Sequence, residues 1–400
     1  MRAGDRVTVA IESVAFGGDG VGRVEKMVLF APFTVDGDVI EAEVATVKKR
    51  YVRARLAKII APSQHRITPV CSYYAACGGC QYQHIAYAHQ LALKERQVAD
   101  AFARIGKVKD PPVRKIVPSP AICGYRGKAE IHVQRRKGQE TAIGFMDTKG
   151  ERVVDIERCE IVHHSINERI AHLRTEAQAG IWAGVREKYI LWSCDDADET
   201  RTETESGDPR PVSRIVKGKE LIIPPEGFFQ ANTTLADRLV EEVIEACGLN
   251  GDETVVDCCC GSGFFSLFLA PGAKEIFGVE WDSDAVQCAR QNLKAAGFSH
   301  AHVLEGDVGE ILNRYFIAGG VRPDVMVLDP PRTGLAPEAL SAVARLKPRR
   351  VVYVSCDPAT QARDTRYLLD RGFILKYLQP LDMFPQTGHI EVVGRLDSAV

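Results

Sequence analysis

The 400-residue sequence predicts an α/β protein. A doubly wound, mainly parallel sheet follows a small β-barrel and an intermediate α+β segment. Three observations carry this expectation. From Glu253 onward, short apolar runs alternate with amphipathic stretches, the rhythm of successive βαβ units. The first of these runs, Thr254–Cys258, opens into Cys259-Cys260-Gly261-Ser262-Gly263, a glycine turn between strand and helix. The first sixty residues hold five short runs, among them the alternating Arg6–Glu12 and Val39–Val47, in the pattern of a small OB-like barrel.

Composition narrows the class. An apolar fraction of 45% and a charged fraction of 26% describe a globular chain with enough length for a sizeable core. No run of about 18 apolar residues occurs, so no membrane span is expected. The opening MRAGDRVTVAIE is polar and lacks the apolar stretch of a secretion signal, which points to the cytoplasm. In that reducing setting twelve cysteines read as metal ligands, reactive thiols or core, and not as a disulfide framework. The net charge of -2 conceals an asymmetry: residues 1–137 carry 23 Lys and Arg against 12 Asp and Glu, while 138–400 carry 28 against 41. A basic front half suits a polyanionic partner, although a solvated charged face has the same composition.

In order along the chain, the glycine-rich Phe16–Arg23 turn separates the first strand from Met27–Phe30, and Arg53–Ile59 closes the barrel segment. Lys48-Lys49-Arg50-Tyr51 with Arg53, Arg55 and Lys58 forms a basic stripe with an interleaved tyrosine, suited to RNA. Cys71, Cys77 and Cys80 follow, the last two separated by Gly78-Gly79. Three thiols in ten residues form a metal-ligand cluster, and Cys159 is the best placed fourth ligand. The spacing lacks the paired CxxC units usual for zinc, so it favours iron–sulfur while leaving zinc open. His84–Ile105 reads as a helix stopped by Gly106. Arg126 and Lys128 precede the β segment Ala129–Val133, which ends in Arg135-Arg136-Lys137; these cations suit phosphates or mere solubility. More strands fill 141–162, and Ile166–Ala179 is helical. Residues 195–211 are acidic and almost free of apolar groups, as a disordered loop or a linker is. The predicted divisions are 1–60, 61–215 and 216–400.

In the last division the helices are Thr233–Cys247, Phe264–Leu269, Asp284–Ala296, Pro337–Leu346 and Ala359–Asp370. The strands are Thr254–Cys258, Ile276–Glu280, His302–Leu304, Val325–Leu328 and Val351–Ser355. Asp257-x-x-x-Gly261-x-Gly263 lacks the third glycine of a pyrophosphate turn, so a nucleoside cofactor without phosphates fits better than a dinucleotide. S-adenosylmethionine is the obvious one. Glu280, ending the second strand, suits a ribose diol, and Asp307 suits an adenine amino group, although either acid also serves as a helix cap. The strand Val351–Ser355 delivers Cys356 to the carboxyl edge, where open sheets bind ligands, so Cys356 is a candidate nucleophile, although a free cysteine is more often a small buried hydrophobe.

With Cys356 in SCDP set beside DCCCGSG, DPPR at 329–332 and the four cysteines, the sequence resembles the RNA uracil-5-methyltransferase family. The resemblance covers nearly the whole chain. It implies a Rossmann-like class I methyltransferase domain, an N-terminal RNA-binding TRAM barrel, and a [4Fe–4S] cluster on Cys71, Cys77, Cys80 and Cys159 in a central α+β domain. It implies contacts to S-adenosylmethionine from Gln230, Cys259, Phe264, Glu280, Asp307 and Asp329. It also implies Cys356 as nucleophile and Glu391, in MFPQTGHIEVV, as general base. The expected partner is RNA, ribosomal rather than transfer RNA, with no protein partner and a monomeric state. The expected chemistry is thiolate attack at uracil C6, methylation of C5 and removal of the C5 proton by Glu391, with the cluster structural. Two other readings use the same residues: an amino-group methyltransferase built on the DPP segment, which needs no cysteine, and an RNA-binding iron–sulfur protein without catalysis. A radical enzyme is disfavoured because the cysteines are spaced CxxxxxCxxC and not CxxxCxxC.

Overall fold

The computed structural model of the protein describes residues 1–135, 141–179, 188–193 and 210–399. Arg136, Lys137 and nearly all of the acidic 195–211 stretch lie outside the described residues. Among those described, no helix is long and apolar enough to cross a membrane.

Strands β1 (Arg6–Val14), β2 (Gly20–Val24), β3 (Met27–Ala31), β4 (Val39–Val47) and β5 (Tyr51–Ala61) form a closed barrel in the order β1-β2-β3-β5-β4. Alternation places Val9, Ile11, Leu29, Ile40 and Val52 inside, all nearly inaccessible. Gly22 has to be glycine, because a Cβ there would lie 2.6 Å from the Ala10 carbonyl oxygen. Asp38 locks the exit from the barrel. Its buried carboxylate accepts from the backbone N–H of Val35 and Ser63 and pairs with Arg66 at 2.5 Å.

Helix α1 (Tyr87–Arg104) bridges the barrel and the C-terminal sheet: Leu93 packs with Val14 and Val35 of the barrel segment, and Gln97 donates to the Val14 carbonyl at 3.0 Å. Val98 and Phe102 pack with Ala362, Leu378, Ile390 and Val392 of the distant C-terminal sheet. Strands β6 (Lys128–Gln134), β7 (Ala142–Met146) and β8 (Val153–Asp155), helix α2 (His164–Gln178) and strand β9 (Lys188–Trp192) follow. The four strands make an antiparallel sheet, β8-β7-β6-β9, with α2 against one face. A hairpin of β10 (Val212–Val216) and β11 (Lys219–Ile223) leads to α3 (Ala236–Cys247), capped by Gly248 at φ 51°.

The remainder is β12 (Thr254–Cys258), α4 (Phe264–Leu269), β13 (Glu275–Glu280), α5 (Ser283–Ala295), β14 (Ala301–Glu305), α6 (Val308–Ile311), β15 (Val325–Leu328), α7 (Pro337–Leu346), β16 (Arg350–Ser355), α8 (Pro358–Leu369), β17 (Phe373–Leu381) and β18 (Glu391–Ser398). They build one seven-stranded sheet, β14-β13-β12-β15-β16-β18-β17, with apolar clusters on both faces. The doubly wound, mainly parallel fold expected from the sequence is present, behind the barrel. Sequence periodicity did not show β17 and β18. Pro380 and the register shift at Leu375–Tyr377 interrupt the first, which a sheet tolerates at its edge. Strand β18 then inserts antiparallel between β16 and β17, so Val392 lies opposite Ser355.

The β17–β18 connection is pinned from α1. Lys94 Nζ reaches Asp382 at 2.5 Å and the Phe384 carbonyl at 3.0 Å, with both charged side chains fully buried. Burial favours a neutral Lys94 and the Asp382 charge opposes it. Removing one partner of such a pair strands the other. Lys94→Met is therefore expected to lower unfolding stability by about 3–5 kcal/mol, and Lys94→Met with Asp382→Leu to recover most of it, measured by urea denaturation. Equal losses in both variants contradict this.

Candidate active site

The parallel strands end in one line at the carboxyl edge, and the first turn there is shaped by its backbone. Cys259, Gly261 and Gly263 all have positive φ (61°, 53° and 82°). Cys259 occupies the left-handed region, which side chains seldom adopt, so this turn is a strained position. Asp257 beneath it is fully buried. One carboxylate oxygen accepts from the Ser266 hydroxyl at 2.6 Å and the other has no partner. Burial raises its pKa to about 7. Glu280 is fixed by three backbone donors, Gly261 at 2.9 Å, Trp281 at 2.8 Å and Asp282 at 3.0 Å. Asp307 caps α6, accepting from the Glu310 N–H at 3.0 Å. The Cys259 thiol is pushed up first by burial and then by the charges of Asp329, Glu280, Asp257 and Asp307. Four acids thus surround the turn, an arrangement matched to a ligand that brings positive charge. Phe264, at the start of α4, meets the Phe229 ring edge-on at 5.4 Å, and this brings the segment holding buried Gln230 to the same helix.

Beside this turn, β16 delivers Cys356. Asp357 caps α8 by accepting from the N–H groups of Ala359 and Thr360, and Pro358 occupies the first helical position. The cysteine is therefore held between a strand end and a helix start. It is half-buried, and its pKa rises to about 12, by burial first and then by the charge of Glu391. The Arg332 guanidinium opposes the rise through its charge and a hydrogen bond to the thiol, while Asp329 adds to it. Glu391 is buried and held well above the usual carboxylate range by burial and by Asp329, again opposed by Arg332. Burial lifts Asp329 to about 8, with the charge of Asp257 adding to it. Cys356 and Glu391, 35 positions apart, meet because β18 starts where β16 ends.

Arg332 is the residue that sequence reasoning left without a role. It stands in the same DPPR turn as Asp329, and only the fold aims it at Cys356. Its Nη2 also lies 3.2 Å from both ring nitrogens of His389. Burial, followed by the charge of Arg332, lowers the pKa of His389 to about 4, so the ring is neutral at physiological pH. Lys128, expected to serve either phosphates or solubility, is instead half-buried over the Trp192 ring at 4.5 Å, and it donates to the Gly227 carbonyl.

Every described cysteine is a free thiol. Cys71, Cys77, Cys80 and Cys159 are brought into one neighbourhood. The Cys80 thiol, at about 12, is raised by burial and by Cys159, Cys77 and Cys71. Cys77 accepts from the Gly79 N–H at 3.4 Å, Cys80 from the Gln83 side chain, and Cys159 from the N–H groups of Ile161 and Val162. Among the described residues, no group of three or more His, Cys, Asp or Glu is arranged to hold a metal ion.

Comparison with known proteins agrees with this architecture. Residues 249–363 match the description "Methyltransferase domain" and residues 2–57 match "TRAM domain". A protein of Halalkalibacterium halodurans named as an uncharacterized RNA methyltransferase is 33% identical, covering 98% of this chain and 97% of its own. One of Gloeobacter violaceus with the same description is 32% identical, covering 98% and 97%. The chain belongs to this RNA methyltransferase family. A solved structure, the Pyrococcus abyssi tRNA (uracil-54, C5)-methyltransferase with S-adenosyl-L-homocysteine, matches 97% of this chain and 100% of its own at a TM-score of 0.74 and 25% identity. The protein is accordingly an S-adenosylmethionine-dependent RNA methyltransferase with an N-terminal TRAM barrel.

The protonated state of Cys356 gives this RNA methyltransferase a measurable signature. A thiol with a pKa near 12 gains about tenfold in thiolate per pH unit below that value. Alkylation at Cys356, followed by peptide mass spectrometry, is expected to keep rising from pH 7 to 10. Arg332→Met, which deletes the one opposing cation, slows it at every pH. A plateau below pH 9 contradicts this assignment.

Proposed function

We propose that this RNA methyltransferase methylates C5 of a uridine in RNA through a covalent bond between Cys356 and C6 of the base. The observation that carries the proposal is the convergence of Cys356, Arg332 and Glu391 beside an acid-lined glycine turn. C5 of uracil is a weak nucleophile towards a methyl sulfonium. When the Cys356 thiol gives its proton to solvent water and the sulfur bonds to C6, the C5–C6 π electrons pass into an enolate and C5 becomes electron-rich. Arg332 offsets the charge on the sulfur as that bond forms and as it later breaks. C5 then takes the methyl group. Glu391 removes the remaining C5 proton, the C5–C6 double bond reforms, and the C6–S bond breaks to return the thiolate. A carboxylate held well above its usual pKa is a stronger base than an exposed one, which suits Glu391 to this step.

S-adenosylmethionine supplies an electrophilic methyl sulfonium when bound. Its positive charges suit the acids around Cys259, and Glu280, fixed by three backbone donors, keeps lone pairs for a ribose diol. Gln230, Phe264, Asp307 and Asp329 complete the proposed contacts. The target base has to leave its stack to reach Cys356, at a cost of about a few kcal/mol that phosphate contacts along the barrel offset.

We further propose that Cys71, Cys77, Cys80 and Cys159 hold a [4Fe–4S] cluster. Their mutual electrostatic reach and the N–H donors on three of the sulfurs support this, since such donors stabilise thiolates. Anaerobically purified protein is expected to carry about four irons per chain with a broad charge-transfer absorption, and Cys159→Ser to lose both. Zinc at one per chain contradicts it.

For the target, large-subunit ribosomal RNA is the proposed class. Transfer RNA is the second reading, favoured by the full-length likeness to the Pyrococcus abyssi enzyme. The test uses both RNAs, tritiated at uracil C5 and taken from cells that lack the protein. Tritium release that needs S-adenosylmethionine and vanishes in Cys356→Ala is the expected result. Methyl transfer that survives Cys356→Ala supports an amino-group substrate instead. S-adenosylmethionine binding without methyl transfer to either RNA supports a binding role.

A further inference from the structure

Gln81 follows Cys80 directly and stands where three segments meet. Its side-chain N–H donates to the Gly78 carbonyl at 2.9 Å, inside the cysteine loop. Its side-chain carbonyl accepts from the Gly388 N–H at 3.2 Å. The backbone N–H groups of Gln81 and Tyr82 both donate to the Gln386 carbonyl, at 3.1 and 2.9 Å. Gln386 has φ 67°, a left-handed conformation that a side chain keeps only when its surroundings impose it. From the other side, Gln386 exchanges amide hydrogen bonds with Gln90 of α1 at 3.0 and 3.1 Å. The barrel turn closes the junction. A Cβ on Gly18 would lie 2.7 Å from Gln81 Cβ, and one on Gly388 would lie 2.8 Å from the Gly17 carbonyl carbon.

The Gln386–Gly388 backbone leads within three residues to Glu391, passing His389. None of these contacts touches the reacting atoms. They fix the loop that ends at the proposed base. We propose that Gln81 is a positioning residue, the link through which the cysteine loop and the barrel turn set the placement of Glu391. This rests on the uracil-C5 reading given above.

The consequence is specific to one half of the reaction. Glu391 acts only after C5 has been methylated, so a displaced base leaves C6 attack and methyl transfer intact and slows release. Loss of the Gln81 link should therefore accumulate a methylated RNA–protein adduct, which a general loss of stability would not produce. The test uses the full chain with its metal content measured, unmodified RNA and S-adenosylmethionine. The readouts are tritium release, denaturant-stable RNA–protein complex on gels, and affinity for cofactor and for RNA. Gln81→Met keeps the volume and removes both side-chain hydrogen bonds. It should slow tritium release about 10- to 100-fold, with the covalent complex accumulating and both affinities and metal content unchanged. Gln81→Glu keeps the acceptor for the Gly388 N–H and should return release to within about threefold of the unmodified enzyme. Release at the original rate in Gln81→Met overturns the proposal, as does slower release without adduct or together with lost cofactor or RNA binding. Glu391→Gln separates the two levels: if that variant also accumulates no adduct, the uracil-C5 reading itself fails, and the role of Gln81 with it.

Discussion

A lysine ammonium buried against a single carboxylate holds the site in its geometry. Lys94 on α1 and Asp382 at the start of the β17–β18 connection are both fully shielded from water. Such a pair recovers little net stability, because desolvating two charges offsets most of their attraction. Its effect is one of placement. Lys94 ties α1 to Asp382 and to the Phe384 carbonyl, and so holds the start of the chain that runs from Asp382 to Glu391. The Gln90–Gln386 amide pair and the Tyr125 hydroxyl, which donates to the Pro385 carbonyl at 2.9 Å, fix that path at further points. Helix α1 ends 150 positions before the methyltransferase sheet begins, yet it packs against the residues where the last strand begins.

Two electrostatic environments lie side by side at the carboxyl edge. Around Cys259 stand Glu280 and Asp307, together with Asp257 and Asp329, whose carboxyls burial raises to about 7 and about 8. Around Cys356 the acids are Glu391 and Asp329, and Arg332 opposes the rise in pKa of both the thiol and Glu391. A cationic cofactor suits the first environment, and a base that becomes an enolate suits the second. Asp329 belongs to both, as a strand-end residue whose charge acts on Cys259 and on Cys356. The neutral His389, set against Arg332, lets the guanidinium keep its charge directed at the sulfur.

Much of this was legible in the sequence, and the exceptions have physical causes. The barrel, the βαβ alternation, the cysteine at a strand end and the Cys71, Cys77 and Cys80 cluster all leave local patterns: period-two alternation, glycines in turns, thiols at short spacing. Strands β17 and β18 do not, because Pro380, a register shift and Gly394 break their periodicity. Arg332 carried no local signal of its role, since its target lies 24 residues away and becomes a neighbour only through parallel pairing of β15 and β16. Lys128 misled in the opposite sense. A cation next to a strand reads as surface charge, whereas here an indole ring and two carbonyls take it up. Gln81 sits beside a cysteine and reads as filler until Gly388 arrives from the far end of the chain.

The central claim is that Cys356 bonds to C6 of a uracil, and trapping that bond tests it most directly. RNA bearing 5-fluorouridine has no proton at C5 for a base to remove, so an adduct that forms cannot resolve. After incubation with the protein and S-adenosylmethionine, proteolysis and mass spectrometry should find a methylated fluorouridine nucleotide on the peptide holding Cys356. An absence of any nucleotide–peptide conjugate, or a conjugate on a different residue, would contradict the account.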